Sequence, residues 1–182
     1  MTRWITHSLL ALLVAAPLLG MGAPAQAQNY RSQTMVQEGS WLLEMTYNTQ
    51  RRSSWCVAKG ENTQGQVLSF AISYQGGTWI SVYDASWSWD ERAERLTVSV
   101  DGNDWSVDAR AKGPGIGFRA PSPQVRRDFT RHLSGGSTAT LSAPGMGQIG
   151  VFDLAGARTA LSQLEKCQLI IAQAASNGQP PF

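Results

Sequence analysis

Two cysteines constrain this chain more tightly than any other feature. Cys56 and Cys167 are the only ones present, so a single intramolecular pairing exists. An even count in an oxidising compartment favours a bridge, the alternatives being an intermolecular link or two free thiols. If they pair, the bridge closes a loop of about 110 residues. The chain-entropy model assigns such a loop roughly 4–5 kcal/mol of stabilisation as an upper figure.

The compartment follows from the first residues. Arg3 supplies a positive start, and Leu9 to Leu19 form an apolar run of about 11 residues. Ala25-Gln26-Ala27 then offers a small-residue cleavage site. The run is shorter than the ~20 residues needed to span a bilayer, and Pro17 and Gly20 interrupt it. Residues 1–27 therefore read as a signal peptide, without a cysteine near the cut to carry a lipid. The protein is expected in the periplasm or outside the cell, with no transmembrane segment after cleavage. Removing the leader leaves roughly 155 residues, the size of one ordinary domain.

The formal charge is +2, and it drops to +1 when Arg3 leaves. So nearly neutral a chain lacks the basic field that nucleic-acid binding needs, and no nucleic-acid partner is expected.

Past a polar stretch, residues 28–40, expected to be a flexible lead-in, hydrophobic alternation points to β structure. Strands are expected at Trp41–Tyr47, Trp55–Ala58, Val67–Tyr74 and Trp79–Tyr83. Leu68, Phe70 and Ile72 share one face. Gly76-Gly77 turns the chain back, so the last two runs read as a hairpin. Asp90 to Glu94 reads as a charged connector. Leu96–Val100 and Trp105–Ala109 flank an Asp101-Gly102-Asn103-Asp104 turn. A short Phe118–Ala120 strand follows a Gly/Pro-rich stretch.

Ser122-Pro123 reads as a helix start, with Ser at the N-cap and Pro in the first turn. Val125, Phe129 and Leu133 make its buried stripe, and Gly135-Gly136 end it. Strands at Thr138–Ser142 and Gln148–Leu154 precede a final helix, Ala155 to Gln173. On that helix Ala157, Ala160, Leu161, Leu164, Cys167 and Ile171 share a face, which directs Cys167 inward toward the Trp55-Cys56 strand. The expected fold class is α+β: an antiparallel β-sheet or sandwich with two helices, the C-terminal one packed on the sheet. A single domain, residues 41–175, is followed by a polar tail, 176–182.

The run Phe152-x-Leu154-x-Gly156-x-x-x-Ala160-Leu161-x-x-Leu164-x-x-Cys167 resembles the ending of a large group of secreted proteobacterial proteins. Some of these are similar to the invasion-associated locus B family. Trp41, the Trp55-Cys56-Val57-Ala58 segment and the Val100-Asp101-Gly102 turn fit the same layout. The chain departs from the locus B pattern near its start, where the short Trp-x-x-x-Cys opening with a second nearby cysteine is missing. The resemblance implies a non-enzymatic periplasmic or secreted domain.

Catalytic motifs are sparse. His132 is the one histidine after the leader and stands in no nucleophile–base pattern. One histidine and two paired cysteines make no ordinary zinc set. The Asp101–Asp104 turn lacks the distal glutamate of a calcium loop. No cofactor is expected. Asp90, Glu91 and Glu94 could pair as the carboxylates of an envelope hydrolase, though a solvated connector fits them better.

Two features suit binding. Trp87-Ser88-Trp89 places both indoles on one side of an extended segment, a platform for a protein partner or a sugar. Arg126, Arg127 and Arg131 lie on the first helix, where they could grip an acidic partner. The sequence thus supports an interaction module anchored by Trp87, Trp89 or the arginine helix. An acidic-residue hydrolase and an inhibitor of a secreted hydrolase are the rival readings.

Overall fold

The computed structural model describes residues 29–182; the expected leader, 1–27, lies outside them. Ten strands and two helices follow one another in chain order. All neighbouring strands pair antiparallel, in a single sheet ordered β1-β2-β3-β4-β5-β8-β7-β6-β9-β10.

The first half is a meander. Strands β1 (Tyr30–Glu38), β2 (Trp41–Asn48), β3 (Ser53–Glu61), β4 (Val67–Ser73) and β5 (Thr78–Tyr83) pair in sequence. Alternation drives them. Leu43 and Met45, Cys56 and Ala58, Leu68, Phe70 and Ile72, and Ile80 and Val82 all point into the core and are buried. Strand β8 (Gly115–Arg119) pairs with β5 and carries Ile116 and Phe118 inward.

The second half is built on the long hairpin of β6 (Trp89–Val100) and β7 (Asn103–Gly113). Val100 faces Asn103 across a two-residue turn. Asp101 and Gly102 there adopt φ of 48° and 84°, the left-handed pair that a tight hairpin of this twist requires. The Asp101 carboxylate accepts the Ser137 and Thr138 amides at 2.9 and 3.0 Å. That contact fixes the entry to β9 (Thr138–Ala143), which pairs with β6 and with β10 (Gly147–Asp153).

Three stretches differ from the sequence expectation. The flexible lead-in expected at residues 28–40 is ordered instead: Tyr30–Glu38 is strand β1, paired with β2 along its length. Its side chains are mostly exposed. The strand is held by its backbone ladder and gives no hydrophobic alternation. The charged connector expected at Asp90–Glu94 lies instead within β6. Its charges face partners across the ribbon: Glu91 with Arg110 and Lys112, and just beyond it Arg95 with Asp108. The tail is tied as well: the Gln179 amide donates to Ala174 O, and Phe182 is half-buried with Arg31 over its ring.

Helix α1 (Pro123–Gly135) starts as expected, the Ser122 hydroxyl accepting the Val125 amide at 3.2 Å. Phe129 centres an aromatic cluster with Phe70, Phe118 and Trp105. Helix α2 (Ala157–Ser176) buries the six residues of its predicted face and no others. It covers β3 and, to either side, β1, β2 and β4. Cys167 reaches Cys56 and the two form a disulfide, with Cα atoms 6.1 Å apart. Gly156 starts α2 at a φ of +90°, and a Cβ there would meet Glu38 O at 2.3 Å. Only glycine allows the helix to leave so close to β1. No helix among the described residues is long and apolar enough to cross a membrane.

The sheet curls until β10 approaches β3. Successive outward carbonyls of β10 are met there by side chains instead of by another strand. Gln66 Nε2 donates to Ile149 O at 2.9 Å, Asn62 Nδ2 to Val151 O at 3.1 Å and Trp41 Nε1 to Asp153 O at 2.9 Å. The carbonyls are spaced by two, the period at which a strand's main chain faces one side. Trp41 is fully buried, and its indole lies against Gly60, where a Cβ would come within 2.6 Å of the ring.

Candidate functional site

The aromatic pair grows out of this polar seam. The Asn62 side-chain oxygen accepts the Gln64 and Gln66 amides, shaping the β3–β4 turn and placing the Gln66 side chain. Gln66 is 6% exposed and spends its amide fully: Oε1 accepts from Asn62 Nδ2, while Nε2 donates to Ile149 O and to Asp84 Oδ2. Asp84 in turn closes a tight loop by accepting the Ser86 hydroxyl at 2.6 Å and the Ser86 amide at 2.8 Å. These bonds hold its carboxyl below the ordinary aspartate range, the Ser86 hydroxyl contributing most, then the Ser86 amide, with Gln66 adding and desolvation opposing. The Trp87 amide donates back to Asp84 O, which completes the turn.

Trp87 and Trp89 leave this loop on the same side and stack, with ring centroids 4.3 Å apart and planes 24° apart. Both are half-buried against the core. With Met146, Gln148 and Ile149 they line a concavity of about 220 Å³. The strand spacing that suggested a shared side is thus realised as a preformed two-ring surface. It is braced from below by the Asp84–Gln66–Ile149 relay.

The arginines of α1 do not share one face. Arg127 and Arg131 are exposed and bonded along their own helix, to Gln124 Oε1 at 2.8 Å and to Asp128 Oδ1 at 3.3 Å. Arg126 turns the other way, toward Glu165 of α2 at 3.6 Å. Its side chain is 19% exposed, and its buried Nε has no hydrogen-bond partner. Arg126 therefore separates from the face that Arg127 and Arg131 form.

The carboxylates that an acidic-residue hydrolase would use do not converge. Glu91 binds Lys112 at 2.7 Å and Arg110 at 2.8 Å. Those two cations, Lys112 first, hold its carboxyl below the ordinary range. A general acid needs a shift the other way. His132 is exposed, its Nδ1 2.7 Å from Asp128 O and its ring beside Trp105. No group of three or more His, Cys, Asp or Glu residues among the described residues could hold a metal ion.

Arg119, near the α1 arginines in sequence, makes a contact that the sequence does not show. Arg119, at the end of β8, lies over the exposed Trp79 ring at 5.3 Å. Its sequence signal is its nearness to Arg126, Arg127 and Arg131, just before the Ala120-Pro121-Ser122-Pro123 helix entry; the Trp79 partner, forty residues earlier, gives no local signal. None of the protein-family models, curated proteins or solved structures compared with this chain matches it.

Proposed function

We propose that this chain is an exported, non-enzymatic interaction module of the periplasm or cell exterior, similar in role to the invasion-associated locus B group. It would capture a protein partner by covering the Trp87–Trp89 stack. The observation that carries this reading is the preorganised pair of half-exposed indoles beside Met146. Large aromatic and methionine side chains supply much of the binding energy at protein interfaces when they are held rigid and then desolvated. Asp84 and Gln66 immobilise the loop before any partner arrives, so little ordering entropy remains to be lost. The leader-like first 27 residues and the Cys56–Cys167 bridge support export.

The test is a crosslinking pull-down of the tagged mature domain from its own cell envelope, run beside the Trp87→Ala/Trp89→Ala double variant. Recovery of one stoichiometric partner by the wild type, with affinity reduced at least about 30-fold in the variant, supports the reading. Equal recovery by both, or no enrichment over a tag-only control, overturns it.

A further inference from the structure

At the opposite end of β5 from the tryptophan loop lies a second concavity, of about 410 Å³. Gln75 to Thr78 form one wall and Arg119 to Pro123 with Arg126 the other. Its lining includes two guanidinium groups and no carboxylate. Arg119 belongs to none of the ion pairs among the described residues. The Trp79 indole orients it by stacking, and that same ring lies 3.1 Å from where a Cβ of Gly77 would stand. The second guanidinium, that of Arg126, is only partly engaged. Its contact with Glu165 is long, 3.6 Å to an acid that is 65% exposed, and its Nε is buried without a partner.

A buried donor left unpaired is costly, and more so on a charged group. Two cations around one concavity, with no acid in its lining, also concentrate anions there. The Gly76 and Gly77 amides do not add to this field. Gly76 donates to Ser73 O and Gly77 to the Ser73 hydroxyl, so both amides are engaged in the turn. The side chains of Arg119 and Arg126 would do the recognising, and forked guanidinium groups match the paired oxygens of a carboxylate or phosphate.

We infer that this concavity is an oxyanion-binding site, in which Arg119 and Arg126 hold the carboxylate or phosphate group of a small polar molecule or of an acidic chain end. This site is separate from the Trp87–Trp89 surface, so either can fail without the other. Isothermal titration of the mature domain with inorganic phosphate and, separately, with succinate at matched ionic strength tests it. Saturable binding of at least one probe is expected, and which one binds identifies the headgroup. Arg119→Gln and Arg126→Gln are each expected to weaken it tenfold or more. The Arg127→Gln/Arg131→Gln variant should stay within twofold of wild type. Thermal unfolding of each variant establishes that it is folded, and Arg119→Gln carries the test if Arg126→Gln is not. Absence of saturable binding with both probes, or equal weakening in the Arg127/Arg131 variant, would overturn the assignment.

Discussion

Strands β1 and β10 both end the sheet, yet their outer rims are built differently. The carbonyls of β10 meet side-chain donors from Trp41, Asn62 and Gln66. Beside β1 no further strand pairs among the described residues, and its mixed polar sequence carries a bulge between Thr34 and Val36. Polar residues and bulges are ordinary protection for an edge that stays open. Helix α2, locked to β3 by the disulfide, covers the β1 half. One half is therefore secured covalently, and the other by directional hydrogen bonds. The polar half is the one that carries the tryptophan pair, because the Gln66 amide that serves β10 also serves Asp84.

The largest break in this comparison comes from the covalent half. Reducing the bridge, or the Cys56→Ala/Cys167→Ala variant, should lower unfolding stability by up to about 4–5 kcal/mol. Urea titration followed by circular dichroism measures it. Hydrogen exchange should then rise first in α2 and in the β1–β3 ladder. At the polar seam, where Trp41 of β2 reaches β10, Trp41→Ala should cost about 3–5 kcal/mol. It empties the volume beside Gly60 and also removes the donor to Asp153 O. Calorimetry should show a lower, still cooperative transition. Exchange in that variant should be fastest in β10, which separates the two halves.

Smaller effects sharpen the contrast. Asp84 is held below the ordinary aspartate range in the folded state. Its bonds therefore add stability that is complete above that range, about 4, and is lost as pH falls through the folded value. Acid titration of the Trp87 and Trp89 indole signals should follow this loss, and Asp84→Asn should flatten the response. At the open edge, Gln33→Lys adds a charge to an exposed strand position. It should move stability by no more than about 0.5 kcal/mol in a denaturant melt.

Much of the covalent half was legible in the sequence. Periodicity alone placed all six buried residues of α2, including Cys167, and the alternation of Leu68, Phe70 and Ile72 placed β4. β1 was not legible, because a strand with mostly exposed side chains, held chiefly by its backbone ladder, shows no apolar period. The start of β6 was hidden for a related reason: its charges are matched by Arg110, Lys112 and Asp108 on another strand. Nothing local marks Trp41, Asn62 and Gln66 as partners of β10, since those contacts span 83 to 112 residues. The Trp87–Trp89 pairing could be read from its spacing, but the relay beneath it could not. Arg126 parted from Arg127 because adjacent helix positions face about 100° apart.

Gln66→Leu is the most direct test of the claim that one buried amide both closes the β10 edge and sets the aromatic surface. The substitution keeps most of the side-chain volume while removing every polar contact. A loss of about 1–3 kcal/mol in urea unfolding, together with shifted Nε1–H resonances for both Trp87 and Trp89, is the predicted result. A stability unchanged within about 0.5 kcal/mol, with both indole resonances in place, would contradict it.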